Sequence, residues 1–248
     1  MTTRTSKKSR QTTRWLSFAP IAALLIFSLA FPLASASARS GPAHAQRLAV
    51  LMSGHLIHAK PDARSRVLTS VSATRPITGV GTTLPVLARR VDGRGVPWLE
   101  VLVPGRPNGS SGWIAEQGTR TASTSWSLRV DLSRRRVSAF RQGRLVRSFE
   151  AVVGKPSTPT PTGRFFVEET VQMRPGEPGG PLALTLSARS NVLQEFEGGP
   201  GQIGIHGRDN LGGHLGSAES HGCMRLATSS IEWLATRIGP GVPVQIQQ

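Results

Sequence analysis

Apolar and polar residues alternate in short runs along most of this chain, and glycine or proline ends nearly every run. Residues 47–51, 84–88 and 98–103 alternate with a period of two, the pattern of half-buried β-strands. A turn follows the last of these, and Gly112-Trp113-Ile114 predicts a further short strand. The polar stretch 119–125 reads as a linker. Beyond it, residues 126–132, 136–141 and 145–153 predict strands, with Gln142-Gly143 reversing the chain between the last two. Residues 156–161 hold too much proline for regular structure and lead through Gly163 into a strand candidate at 164–168. One helix is signalled: Ser229 and Glu232 have capping-box spacing, Ile231, Leu234, Ala235 and Ile238 share a face, and Gly239-Pro240 stop it. Residues 243–246 return as a final strand. The pattern predicts a mainly β chain with one or few helices, organised as 46–122 and 125–248 after an N-terminal segment of 1–45.

That first segment has its own logic. Lys7, Lys8, Arg10 and Arg14 precede an apolar run from Trp15 to Leu33, and small-residue sites of the A-x-A kind follow. Positive region, apolar region and cleavage site in this order are the layout of a secretory signal. The run approaches the ~18 residues that span a bilayer, so it also fits a retained anchor that would make the membrane a partner. Either way, residues 46–248 are expected outside the cytoplasm. No cysteine lies near the run, which excludes lipid attachment there.

The formal net charge of +16 is spread along the chain. Residues 47–124 carry ten Lys/Arg against four acids, and residues 125–248 carry fourteen against ten. A nucleic-acid binder needs a dense basic stripe with motif support, and none is present. The surplus reads as a solvated basic surface that favours anionic envelope polymers or lipid.

The chemistry concentrates in residues 203–226, where His206-Gly207, His214 and Ser220-His221-Gly222-Cys223-Met224-Arg225 follow one another. Cys223 is the only cysteine in the chain, and three of the six histidines lie within eighteen residues of it. A thiol with a reference pKa of ~8.5 needs a nearby base or cation to act as a nucleophile at neutral pH. A histidine supplies one and can return the proton to a leaving amine. Gly222 lets a substrate approach the backbone and leaves amides to face a developing oxyanion. His221 and His206 are both candidates for the base, and spacing alone does not choose between them.

The pairing of Ile205-His206-Gly207 with the Ser220–Arg225 motif resembles the signature of the L,D-transpeptidase catalytic domain. Val130-Asp131-Leu132, Val153-Gly154-Lys155, the 158–163 proline loop, Leu215-Gly216 and Gly241-Val242-Pro243-Val244 are similar to that family as well. The resemblance covers about residues 125–247. Residues 46–122, with their Gly-Trp-Ile strand, resemble a bacterial SH3-like barrel, where Trp98 and Trp113 either pack the core or line a groove.

The resemblance implies a sandwich-like β domain in which Cys223 attacks the bond between the third and fourth residues of a peptidoglycan stem peptide. His206 would be the general base, oriented by the Gly207 carbonyl. His221, Gly222 and the Cys223 amide would shape the oxyanion site, and Ser220 and Arg225 would support or contact substrate. An amine from a second stem would resolve the thioester. The family implies acylation by carbapenem-type β-lactams and no metal or organic cofactor. Water as acceptor would make an L,D-carboxypeptidase, and a protein lysine would anchor protein to the wall. Other readings are an inert buried thiol, a zinc site from the three histidines and Cys223, or a non-catalytic envelope-binding protein. The histidine and cysteine spacings match none of the common zinc patterns.

Overall fold

The predicted alternation becomes two curled sheets. The first holds β1 (Gln46–Leu51), β2 (His55–His58), β3 (Val67–Val71), β4 (Thr83–Val91), β5 (Pro97–Leu102), β6 (Ser111–Ala115) and β7 (Thr119–Thr124). Their order across the sheet is β3-β2-β6-β5-β4-β1-β7. The computed structural model describes residues 45–196 and 198–248, within one compact unit, Ser40–Gln248. The apolar run expected to act as a signal or anchor lies outside the described residues. Among those residues, no helix is long and apolar enough to cross a membrane.

The chain continues with β8 (Trp126–Asp131), β9 (Arg136–Arg141), β10 (Arg144–Glu150), β11 (Val153–Gly154), β12 (Gly163–Gln172) and β13 (Leu182–Arg189). Then come β14 (Gln202–His206), β15 (Ala218–Ser220), β16 (Met224–Arg225), α1 (Thr228–Ala235) and β17 (Pro243–Gln247). Eight of these strands form a sheet in the order β10-β9-β8-β17-β12-β13-β14-β16, and β11 pairs with β15. The fold is mainly β.

Several predicted elements shift. The expected linker is strand β7, which pairs with β1 along its whole length. Its threonines suit an extended edge strand, and the backbone ladder supplies what its polar side chains do not. The predicted 145–153 strand breaks after Glu150, because Val152 turns to exchange two backbone hydrogen bonds with Arg225. The hairpin before it turns through Gln142 and Gly143 at φ 52° and 75°, the two left-handed residues of a type I′ turn. Helix α1 starts at Thr228 without a side-chain cap, so the Ser229–Glu232 capping box does not form. Thr228 instead donates its hydroxyl to Asp209, 2.7 Å away. The apolar face holds: Ile231, Leu234 and Ile238 are buried in the second core.

Strand β12 joins the two cores. Successive residues on a strand point to opposite faces, so Phe165 enters the core of the second sheet and Phe166 that of the first. Polar contacts reinforce the join. Asn108 exchanges two hydrogen bonds with the Arg189 backbone, at 2.7 and 2.8 Å, and Arg106 donates to Ser190 O at 2.8 Å.

At the same seam Glu168, fully buried on β12, pairs with Arg75 from the β3–β4 loop and with Arg189 at 2.9 Å. Burial lowers the Arg189 guanidinium to about 10, which leaves it charged at neutral pH. Removing one member of a buried charged cluster strands the others in low dielectric. Glu168→Ala should therefore cost about 3–5 kcal/mol in urea unfolding, whereas a loss below about 1 kcal/mol would mean that solvent reaches the arginines.

Candidate active site

Parallel pairing of β14 with β16, Ile205 opposite Met224 and His206 opposite Arg225, brings the two halves of the sequence motif together. His206 ends β14, and Cys223 immediately precedes β16. Both line one cavity of about 620 Å3, together with His221, Arg225 and Gln202.

The cysteine loop is held from inside the protein. Ser220 is fully buried, donates its hydroxyl to Cys223 O at 2.6 Å and accepts the Gly222 N–H at 3.1 Å. The expected substrate contact from the Ser220 side chain is therefore not available. The same bond occupies the Gly222 amide, so that residue offers an oxyanion room but not its own N–H. Gly222 sits at φ +120°, and a Cβ there would come within 2.9 Å of Ile203 Cδ1, so the position requires glycine.

The proline loop completes the brace. Thr158 donates its hydroxyl to Ser220 O at 3.2 Å. Thr160 donates to Gly222 O at 2.7 Å and accepts the Gly154 N–H at 3.0 Å. Sequence reasoning gave these threonines no role. Their signal was the alternation of threonine and proline, since a segment unable to form a ladder can still present hydroxyls at fixed spacing.

Gly204 was missed as well. Its N–H donates to the Cys223 sulfur at 3.4 Å, and the sulfur lies 4.0 Å from Gln202 O. The sulfur thus faces one backbone N–H and one backbone carbonyl of the same strand segment. A glycine inside the apolar strand Ile203-Gly204-Ile205 was the available hint.

His206 Nδ1 lies 2.7 Å from Gly207 O. A carbonyl only accepts, so Nδ1 carries the proton and Nε2 of the neutral ring is left as an acceptor. Burial lowers the His206 pKa below its ordinary value, and the Arg225 charge adds to this while the Gly207 and Gly179 carbonyls oppose it. The ring is therefore neutral, and basic at Nε2, at physiological pH. Gly179 packs so closely that a Cβ there would come within 2.8 Å of His206 Nδ1.

Of the other predicted residues, His221 and Arg225 stay at the cavity and His214 does not. His221 is exposed and stacks on Phe196 with ring centroids 5.6 Å apart. Arg225 donates to Gly212 O at 2.8 Å, and its Nε is buried. His214 points to Glu219 at 3.9 Å, away from the cavity lining. Among the described residues, no three His, Cys, Asp or Glu side chains converge as metal ligands. Trp98 is buried, donates to Asp92 and packs edge-on against His58, and it also lines a separate cavity of about 590 Å3 in the first sheet.

Known proteins are similar to the second part of this chain. The L,D-transpeptidase catalytic domain family, YkuD, matches residues 125–246. A Bacillus licheniformis protein named L,D-transpeptidase YkuD is 32% identical over 130 residues, covering 52% of this chain and 70% of that one. L,D-transpeptidase 1 of Mycobacterium tuberculosis is 28% identical over 129 residues, covering 47% of this chain and 48% of its own. Among solved structures, L,D-transpeptidase 3 of Mycobacterium tuberculosis covers 67% of this chain and 91% of its own at 15% identity, with a TM-score of 0.44. An Enterococcus faecium L,D-transpeptidase covers 50% of each chain at 22% identity, with a TM-score of 0.38. The chain belongs to the L,D-transpeptidase family through its second sheet. It spans only about half the length of the mycobacterial relative.

The brace can be tested apart from activity. Thr160→Val keeps the shape but leaves the Gly222 carbonyl and Gly154 amide without their bonds. It should lower stability by about 1–3 kcal/mol in thermal unfolding, and Thr160→Ser should recover most of the loss. Equal stability of Thr160→Val and wild type would remove the brace from the account.

Proposed function

We propose that this chain is an exported L,D-transpeptidase that cross-links peptidoglycan stem peptides through a thioester on Cys223. Membership of the family supports the reaction class, and the His206 geometry supports the assignment of roles. The observation that carries the reading is the Nδ1–Gly207 O contact at 2.7 Å, in a cavity that His206 shares with Cys223.

The steps follow from these groups. Cys223 gives its proton to Nε2 of His206, and the sulfur attacks the carbonyl carbon of the bond between the third and fourth stem residues. The oxyanion forms over Gly222, beside the Cys223 amide and His221. Collapse breaks the C–N bond, His206 returns the proton to the leaving nitrogen, and the terminal D-amino acid departs. An amine from a neighbouring stem attacks the thioester and gives a proton to His206. The sulfur leaves, recovers its proton, and the two third-position residues are joined. Arg225 holds the loop edge through Gly212 and keeps positive charge near the cavity, which disfavours protonation of His206 before the reaction.

Mass measurement of the full chain after incubation with a tetrapeptide stem should show one tripeptide adduct, which Cys223→Ala abolishes. His206→Ala should slow adduct formation by about 10²–10⁴-fold. A variant series in which His221→Ala alone had that effect would reassign the base.

The pH dependence has a defined sign. The folded His206 pKa is depressed, so the base stays neutral as pH falls through the ordinary histidine value of about 6.5 and is lost only below it. The acid limb of kcat/KM should therefore lie below about 6.5, and stability should decline over the same descending window because the unfolded chain takes up the proton first. An acid limb above about 7 would contradict the assignment.

A further inference from the structure

The cavity that holds Cys223 is not built by the catalytic sheet alone. Arg75, Pro76 and Ile77, from the β3–β4 loop of the first sheet, line it too. The loop closes on itself through the Thr74–Gly81 bridge and the bond from Arg75 N to Val80 O at 2.8 Å. Two anchors then tie it to β12. Arg75 pairs with buried Glu168, and Thr78 gives Glu169 Oε2 both its N–H, at 2.9 Å, and its hydroxyl, at 2.7 Å. Pro76 and Ile77 are the two residues between these anchors, so their place at the cavity is fixed rather than incidental. Ile77 is 56% exposed, a β-branched apolar side chain on a cavity wall, and its neighbours on both sides are anchored.

The anchors lead to the nucleophile. Glu168 Oε1 accepts from Gln202 Nε2 at 3.2 Å, and the Gln202 carbonyl lies 4.0 Å from the Cys223 sulfur. One carboxylate and one glutamine thus connect the loop to the reacting group. Glu168 and Glu169 offset the charges of Arg75 and Arg189 here, so the surface that the loop presents to a ligand is its apolar tip.

We infer that the Pro76–Ile77 tip is a specificity-determining wall of the transpeptidase cavity, packing against the aliphatic part of the stem peptide while Cys223 is acylated. The first sheet then acts as part of the substrate site. The inference rests on the functional reading above, and one experiment separates the two. Ile77→Asp and Ile77→Ala change an exposed side chain and should leave the melting temperature within about 2 °C of wild type. Placing a charge on the wall should raise KM for the tetrapeptide about tenfold in Ile77→Asp, with Ile77→Ala intermediate and kcat changed far less. Alkylation of Cys223 by iodoacetamide, too small to touch the loop, should keep its rate. Wild type that forms the thioester alongside an Ile77→Asp variant of unchanged KM overturns this inference alone. Equal losses toward tetrapeptide and iodoacetamide also overturn it, since they would mean a distorted site. Wild type that forms no thioester overturns the functional reading and this inference with it.

Discussion

Two parallel residue pairs, Ile205 with Met224 and His206 with Arg225, are the constraint on which the site depends. A two-residue strand has little stability of its own, so the pairing exists because its surroundings impose it. Arg225 is bonded on its other side to Val152 through two backbone bonds of 2.9 Å, and Leu226 N donates to His206 O at 2.8 Å. The hydroxyls of Ser220, Thr158 and Thr160 then hold the carbonyls of Cys223, Ser220 and Gly222. The imidazole and the thiol come from segments seventeen residues apart, yet both have their backbones held by bonds that do not involve substrate.

The same economy appears at the seam between the sheets. Strand β12 gives one phenylalanine to each core, and the glutamates beside them are fully buried against the β3–β4 loop. A carboxylate in that position is tolerable only with cations and donors around it. Arg75, Arg189, Gln202 and Thr78 supply them, and this draws the first sheet into contact with the cavity lining.

Much of this was legible in the sequence, for different reasons in different places. Strand β9 announces itself because Val137 and Ala139 are buried while the residues between them are not, whereas β5 is a short apolar run buried on both faces. The cysteine motif is legible because few chemistries need histidine, glycine and cysteine in that order. Strand β7 was read as a linker because its stability lies in backbone pairing with β1, which composition does not record. Strand β13 alternates Leu184, Leu186 and Ala188 with polar or small residues, a pattern as legible as that of β9, although proline and glycine crowd the residues before it. Ser220 shows the opposite limit. Its residue type was noticed, but whether a hydroxyl faces substrate or the loop's own backbone depends on the loop's path, which local sequence does not encode. The brace by Thr158 and Thr160, and the reach of Arg75 across to Glu168, join positions more than sixty residues apart.

The central claim is that the fold presents one sulfur to one carbonyl. It is tested most directly by quenching the full chain during its first turnover with a tetrapeptide whose terminal D-residue is isotopically labelled, then digesting it and locating the acyl group. The account predicts a tripeptide thioester on the fragment containing Cys223 and release of one labelled residue for each chain acylated. Release of the label with the acyl group on another side chain, or with no covalent intermediate at any quench time, would contradict it.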